Sequence, residues 1–137
     1  MPHDPELLAE TRSWFLKASR DLDAGEFELT APSPFTEHAV FHAQQAAEKA
    51  LKGFLVWHGV PFRKTHSLEE LGAQCEAVDG GLRPAIDKAV PLTKYASEYR
   101  YPGEPETPPL EEATAALALA REVYDAVVAR LPEQVRP

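Results

Sequence analysis

The segment from Thr36 to His58 most constrains the fold, because its residues separate onto two faces when wound as a helix. Small and apolar side chains recur at three- and four-residue spacing, which predicts a face that another helix approaches closely. These are Ala39, Ala43, Ala46, Ala47, Ala50, Leu51, Phe54 and Leu55. Polar side chains follow similar spacing along one side: His38, His42, Gln45, Lys49 and Lys52. The polar side is the first candidate for a functional surface.

Helical spacing of apolar residues also predicts helices before and after this segment. Gly25 is expected to end the first of them, and Ser33 or Thr36 to cap the central helix. Pro91 should interrupt the fourth helix, and no segment alternates as a strand would. The predicted helices cover residues 5–24, 36–58, 68–78, 82–99 and 110–131. The fold class is therefore all-α, an antiparallel bundle of four long helices plus one shorter helix.

Length and composition fit one soluble domain over residues 1–137. No apolar run approaches the roughly 20 residues that span a bilayer. The first ten residues are acidic where a signal peptide would be basic and then apolar. We therefore expect a cytoplasmic protein with no membrane contact. Cys75 is the single cysteine, so it is expected to be a small buried residue, with a reactive thiol as the alternative.

Charge is distributed unevenly along the chain. The net charge of −8 disfavours general binding to polyanions, which requires clustered Lys and Arg. Residues 32–66 nevertheless carry four Lys and Arg against two Glu, a net charge of +2. This segment contains the polar side of the central helix and the loop after it. A functional surface that binds an anionic group is therefore expected in this segment.

The polar side of the central helix has two simpler interpretations. It can be a solvated helix face on which Glu48 and Lys52 pair at i, i+4. His38 and His42 have a spacing that suits a metal ion, but no third ligand accompanies them. Neither a metal nor a cofactor is predicted.

A second candidate is the loop before the third helix, which contains Arg63, Lys64 and His66. Two cations beside the unpaired N–H groups of a helix N-terminus suit an anionic group such as phosphate. The alternative is that Thr65 and His66 cap the helix while the cations are solvated. A third candidate follows the fourth helix and consists of Lys94, Tyr95, Tyr99, Arg100 and Tyr101.

In this third candidate, tyrosine rings and a planar guanidinium can stack on a base while Arg100 binds a phosphate. The alternative is structural. Tyr95 and Tyr99 would then belong partly to the core, and Arg100 would fasten the loop by bonding carbonyl groups or Glu48.

Four sequence features in order resemble the HEPN domain (higher eukaryotes and prokaryotes nucleotide-binding domain). They are Trp14, Ala18, Asp21 and Leu22; residues 41–52, FHAQQAAEKALK; residues 65–68, THSL; and residues 99–103, YRYPG. The resemblance covers nearly the whole chain. It implies a helical bundle that dimerises and holds nucleotide or RNA in a groove near the two-fold axis.

The resemblance also implies a separately encoded minimal nucleotidyltransferase as partner, in a toxin–antitoxin-like pair. The nucleotide or phosphate site would comprise His42, Gln45, Lys49, Arg63, Lys64, His66, Tyr99 and Arg100. Ribonucleases of the family carry an Arg followed four to six residues later by His, and no His follows Arg100. The prediction therefore favours a binding module over an enzyme. The alternative is a metal-independent ribonuclease with Arg100 and either His66 or His42 as catalytic residues.

A homodimer is also expected from the residues themselves. Trp57 near the end of the central helix and Phe62 in the following loop offer large apolar side chains that a core does not readily cover.

Overall fold

The computed structural model describes residues 3–103 and 106–137. Within these residues the protein has five α-helices and no strand, which confirms the all-α fold class. The helices are α1 (Pro5–Glu28), α2 (Thr36–Trp57), α3 (Leu68–Val78), α4 (Arg83–Ala89) and α5 (Leu110–Val128). No described helix is both long and apolar enough to cross a membrane.

The first helix does not end at Gly25 as predicted but continues to Glu28. Gly25 is buried, and a Cβ atom there would lie 2.5 Å from Leu117 Cδ2. Gly25 therefore permits close packing inside the helix and does not end it. The predicted cap of α2 was also wrong, because Phe35 occupies the N-cap position and makes no side-chain cap hydrogen bond.

The predicted fourth helix is interrupted near Pro91, as expected. Its α-helical part contains only seven residues, and a 3₁₀ segment, Val90–Ala96, continues from it. Proline lacks the N–H of a helical hydrogen bond, so the change of helix type at this position has a local cause. Three helices are long, with 24, 22 and 19 residues in α1, α2 and α5, and α3 has 11. The prediction was four long helices and one shorter helix, and the difference lies in the fourth helix, whose α-helical part is short.

The core lies around α2, which packs most extensively against α1 and α5. The predicted alanines of α2 are buried, together with Phe15 and Leu22 from α1. Trp57 and Phe62 are partly buried against this core, Trp57 beside the ring of His3 and Phe62 beside Trp14. Their own chain therefore covers much of the apolar area that led us to expect a dimer.

Cys75 lies in the core, as expected of a small buried residue. Its Sγ donates a hydrogen bond to the Leu51 carbonyl at 3.5 Å. Burial, together with the nearby carboxylate of Glu76, raises the pKa of the Cys75 thiol to about 12. Because the thiolate is the reactive form, the reactive-thiol alternative is disfavoured.

Thr11 supplies a stability prediction. Its side chain is fully buried, and its hydroxyl has no hydrogen-bond partner among the described residues. Valine has the same shape without the hydroxyl, so Thr11→Val should raise the free energy of unfolding by about 1 kcal/mol. Urea denaturation measures the change. In the control Thr114→Val, an exposed hydroxyl bonded to the Leu110 carbonyl is removed, and no such gain is expected. Equal or lower stability of Thr11→Val would contradict the prediction.

Candidate functional site

The polar side of α2 contacts α1 through two of its predicted site residues. His42 Nδ1 lies 2.7 Å from Glu28 Oε1, and Lys49 Nζ donates to Asp21 Oδ2 at 2.6 Å. Both contacts join α2 to the second half of α1. Two of the predicted basic side chains therefore already face a carboxylate, which lowers their attraction for a phosphate.

Glu48, on the other side of this polar surface, is the centre of a buried hydrogen-bond network. Its Oε2 accepts from Lys52 Nζ at 2.9 Å. Its Oε1 accepts from Gln44 Nε2 at 3.0 Å and lies 2.7 Å from His66 Nδ1. Gln45 extends the network by donating to Gln44 Oε1 at 2.7 Å. Glu48 therefore connects α2 to the loop before α3.

The charge of Glu48 is stabilised by these partners. Burial alone would raise the pKa of the carboxyl group, but hydrogen bonds from Lys52, Gln44 and His66 outweigh it. The pKa of Glu48 therefore lies below its ordinary value of 4.5. The residues Glu48 and Lys52 are only 5% and 8% exposed, so they form a buried ion pair.

The His66 side chain is 66% accessible, although its Nδ1 atom contacts Glu48. The contact of Nδ1 with Glu48 directs that nitrogen toward the protein interior. The Gln44 side chain also donates to the His66 carbonyl at 3.2 Å, which fixes the backbone. His66 thus presents its other nitrogen from a fixed position.

The N-terminus of α3 has its own acceptors. Ser67 is the N-cap and accepts from the N–H of Glu70 at 3.1 Å. Thr65 Oγ1 accepts from the N–H of Ser67 at 3.0 Å, and Thr93 Oγ1 from the N–H of Leu68 at 3.1 Å. These donors are therefore already used, and a phosphate would have to displace a side chain to reach them.

The cations of the same loop differ from each other. Arg63 Nε donates to both carboxylate oxygens of Glu70 at 2.8 Å. Lys64 is exposed and has no ion pair within the described ranges. The structural alternative for this loop holds only in part, because Thr65 accepts from a backbone N–H but Ser67 is the N-cap and the His66 ring contacts Glu48. Arg63 is paired with Glu70 and is not simply solvated, while Lys64 stays available to an anion.

A cleft of about 310 Å³ forms where the turn after the 3₁₀ segment meets the first half of α2. The guanidinium carbon of Arg100 lies 4.3 Å from the centroid of the Phe41 ring. Arg100 Nη1 donates to the Ala96 carbonyl at 3.1 Å. The lining residues are Glu37, His38, Phe41, His42, Tyr99 and Arg100. Stacking and the carbonyl contact hold the guanidinium in one orientation.

The backbone at Tyr99 is unusual. Its φ angle is +66°, a left-handed conformation that bulky residues rarely adopt. The Tyr99 ring stacks on Tyr95 at 6.2 Å between centroids and an interplanar angle of 27°. Tyr95 is buried and donates its hydroxyl to Glu112 of α5. Burial and this carboxylate raise the pKa of Tyr95. The tyrosine pair thus anchors the turn that carries Arg100.

The predicted site residues therefore form separate groups in the described structure. His42, Tyr99 and Arg100 line one cleft, and His66 and Gln45 belong to the network of Glu48. Lys49 and Arg63 pair with separate carboxylates, and Lys64 is exposed. Sequence reasoning did not select Phe41 or Glu48 as site residues. The described residues contain no group of three or more His, Cys, Asp or Glu side chains arranged to hold a metal ion.

A family model described as HEPN domain matches residues 11–131. The chain belongs to the HEPN family. This match covers nearly the whole protein and supports a nucleotide- or RNA-related role for the HEPN bundle. No curated protein and no solved structure matches the chain.

Proposed function

We propose that this HEPN protein forms a homodimer, binds a nucleotide or single-stranded RNA, and works with a separately encoded minimal nucleotidyltransferase. In this proposal the pair functions in the manner of a toxin–antitoxin system. The observation that carries the proposal is the cleft in which Arg100, Phe41, Tyr99 and His42 meet. A guanidinium held over an aromatic ring offers both a phosphate-binding edge and a stacking surface.

Charge supports a small ligand over a long polyanion. His42 and Lys49 are each bonded to a carboxylate of α1, and Arg63 is bonded to Glu70. The cationic groups therefore do not form one continuous unpaired strip of the kind that duplex nucleic acid requires. A ligand with a few phosphates and an exposed base fits the cleft better, because stacking supplies part of its affinity.

Ligand binding is tested by thermal unfolding with ATP, AMP and a short single-stranded RNA. A ligand at 100 times its dissociation constant should raise the free energy of unfolding by about 2.7 kcal/mol. Arg100→Ala should reduce the affinity at least about tenfold, since a charged hydrogen bond and a stacking surface are lost. Arg83→Ala is the matched control, because Arg83 is an exposed arginine of α4 outside the cleft. If no ligand stabilises the folded protein, nucleotide binding is rejected.

The partner and the dimer are tested separately. Co-expression with a minimal nucleotidyltransferase should give a stable complex on size exclusion. Sedimentation at micromolar concentration should give the mass of a dimer. Failure of co-purification would remove the partner from the proposal, and a monomeric mass would remove the dimer.

A metal-independent ribonuclease is the second candidate. It is favoured by the shared cleft of His42 and Arg100, because a base and a phosphate-binding cation must act on the same ribose phosphate. The carboxylate of Glu28 at His42 Nδ1 would orient the imidazole for that role. Cleavage of mixed RNA in EDTA that is lost in both His42→Ala and Arg100→Ala would establish this activity. Cleavage that survives either substitution would refute it.

A further inference from the structure

Two phenylalanines are exposed at the turn that joins α1 to α2. Phe27 is 77% accessible and Phe35 is 51% accessible. They line an open depression of about 460 Å³, together with Glu28, Thr30, Ala31 and His38. We call the apolar part, formed by Phe27, Ala31 and Phe35, the phenylalanine surface.

The phenylalanine surface is preformed. The N–H of Thr30 donates to the Phe27 carbonyl at 3.0 Å, and the N–H of Phe35 donates to the Glu28 carbonyl at 3.1 Å. The Thr30 hydroxyl also donates to the Phe27 carbonyl at 2.7 Å. A partner would therefore meet a turn that is already ordered, which lowers the entropic cost of binding.

The region around this surface is acidic. Between Arg20 and Lys49 the sequence contains six Asp and Glu residues and no Lys or Arg. Asp23 and Glu26 are exposed on the last turns of α1, and Glu28 lines the depression itself. Two of the six acids are paired with lysines, Asp21 with Lys49 and Glu48 with Lys52. Of the other four, Glu26 lies 3.3 Å from Arg121, and Glu28 and Glu37 contact only histidines among the ion pairs of the described residues.

This charge distribution selects the occupant. Nucleic acid and anionic lipid would be repelled by the carboxylates. A second copy would bring the same acids toward each other, which like-charge repulsion disfavours. An apolar segment with flanking Lys or Arg would pack its apolar side chains on the exposed rings and pair its charges with the surrounding carboxylates.

We propose that the phenylalanine surface docks a basic, amphipathic segment of a partner protein, with apolar side chains seated between Phe27 and Phe35. This interaction does not rest on ligand binding in the Arg100 cleft, although His38 lines both the cleft and the depression. The aromatic rings supply the anchors, and the acids around them supply orientation and charge selectivity.

The test uses a fluorescein-labelled peptide of leucine and lysine, about four turns long when helical, and its leucine and glutamate counterpart. Fluorescence polarisation should show saturable binding of the lysine peptide and none of the glutamate peptide. Phe27→Ser and Phe35→Ser should each weaken binding at least about tenfold. Leu16→Ser is the matched control, because Leu16 is 42% exposed on α1 and lies next to Lys17. It should bind like the parent.

Amide chemical-shift mapping should place the perturbed residues at positions 26–38. Both phenylalanines are exposed, so the substitutions should preserve the helical circular dichroism spectrum. The proposal is overturned if neither peptide binds, if both peptides bind equally, or if Phe27→Ser retains full affinity. It is also overturned if sedimentation shows that Phe27→Ser converts a dimer of this chain to a monomer, since a second copy would then cover the surface.

Discussion

Glu48→Gln should lower the free energy of unfolding near neutral pH by about 2 to 4 kcal/mol, because it leaves a buried ammonium without its counterion. Lys52 is 8% exposed and donates to Glu48 at 2.9 Å. Glutamine keeps the shape of the side chain but carries no charge to balance Lys52. It also offers one acceptor oxygen where the carboxylate uses two.

The effect should depend on pH with a definite sign. Because the pKa of Glu48 is lowered in the folded protein, its ionisation stabilises the fold above the unfolded-state pKa. This contribution is lost as the pH falls through the folded-state pKa of the carboxyl group. The stability difference between the parent and Glu48→Gln should therefore be largest near neutral pH and shrink as the pH falls below 4.5, the ordinary pKa of a glutamate.

Urea denaturation at several pH values measures this difference. Glu70→Gln is the matched control, because it removes a carboxylate whose ion pair with Arg63 is exposed to solvent. Exposed pairs contribute little, so Glu70→Gln should leave stability unchanged within error. A Glu48→Gln protein as stable as the control would show that the buried pair does not hold the loop before α3. A Lys52→Met variant completes a double-mutant cycle that isolates the interaction of Glu48 with Lys52.

The helices could be predicted where their determinants are local. The central helix was predicted over 36–58 and is found at Thr36–Trp57, because its apolar spacing continues without interruption. The irregularity at Pro91 was likewise predicted from one residue that lacks an N–H. Gly25 misled the prediction because glycine ends some helices and permits close packing in others. Only the position of Leu117 distinguishes the two uses.

The candidate site depends on contacts between residues that are distant in sequence. The i, i+4 spacing of Gln44, Glu48 and Lys52 is visible in the sequence, but His66 lies 18 residues beyond Glu48. The partners of His42 and Lys49 lie 14 and 28 residues away. Sequence reasoning therefore identified the polar side of α2 but did not foresee that its cations would be divided among different carboxylates.

Gly53→Ala should destabilise the protein by about 1 to 3 kcal/mol, although alanine is the better helix former. Gly53 lies inside α2, where propensity alone favours alanine by about 1 kcal/mol. A Cβ atom at this position would lie 2.8 Å from Phe15 Cε2 and 2.9 Å from Trp14 Cβ. Phe15 is fully buried, so its ring has little room to move. The packing cost should therefore exceed the gain in propensity.

Gly80→Ala is the matched control, because a Cβ atom at Gly80 meets nothing within 4 Å. This substitution should leave stability unchanged or raise it slightly by reducing the entropy of the unfolded chain. Urea denaturation measures the free energy of unfolding of both variants, and only Gly53→Ala should show a loss from packing. If Gly53→Ala were more stable than the parent, the prediction would be wrong, because α1 and α2 would then accommodate the new methyl group at little cost in packing.

A second substitution identifies the cause of the loss at Gly53. Phe15→Leu removes the ring atoms that a Cβ at Gly53 would meet, but by itself it leaves a cavity in the core. Combined with Gly53→Ala, the smaller side chain should relieve the clash while the new methyl group fills part of the space. The double variant should therefore lose less stability than the two single losses added together. Strict additivity would instead show that the ring of Phe15 is not the origin of the cost, and would place it in the contact with Trp14 Cβ.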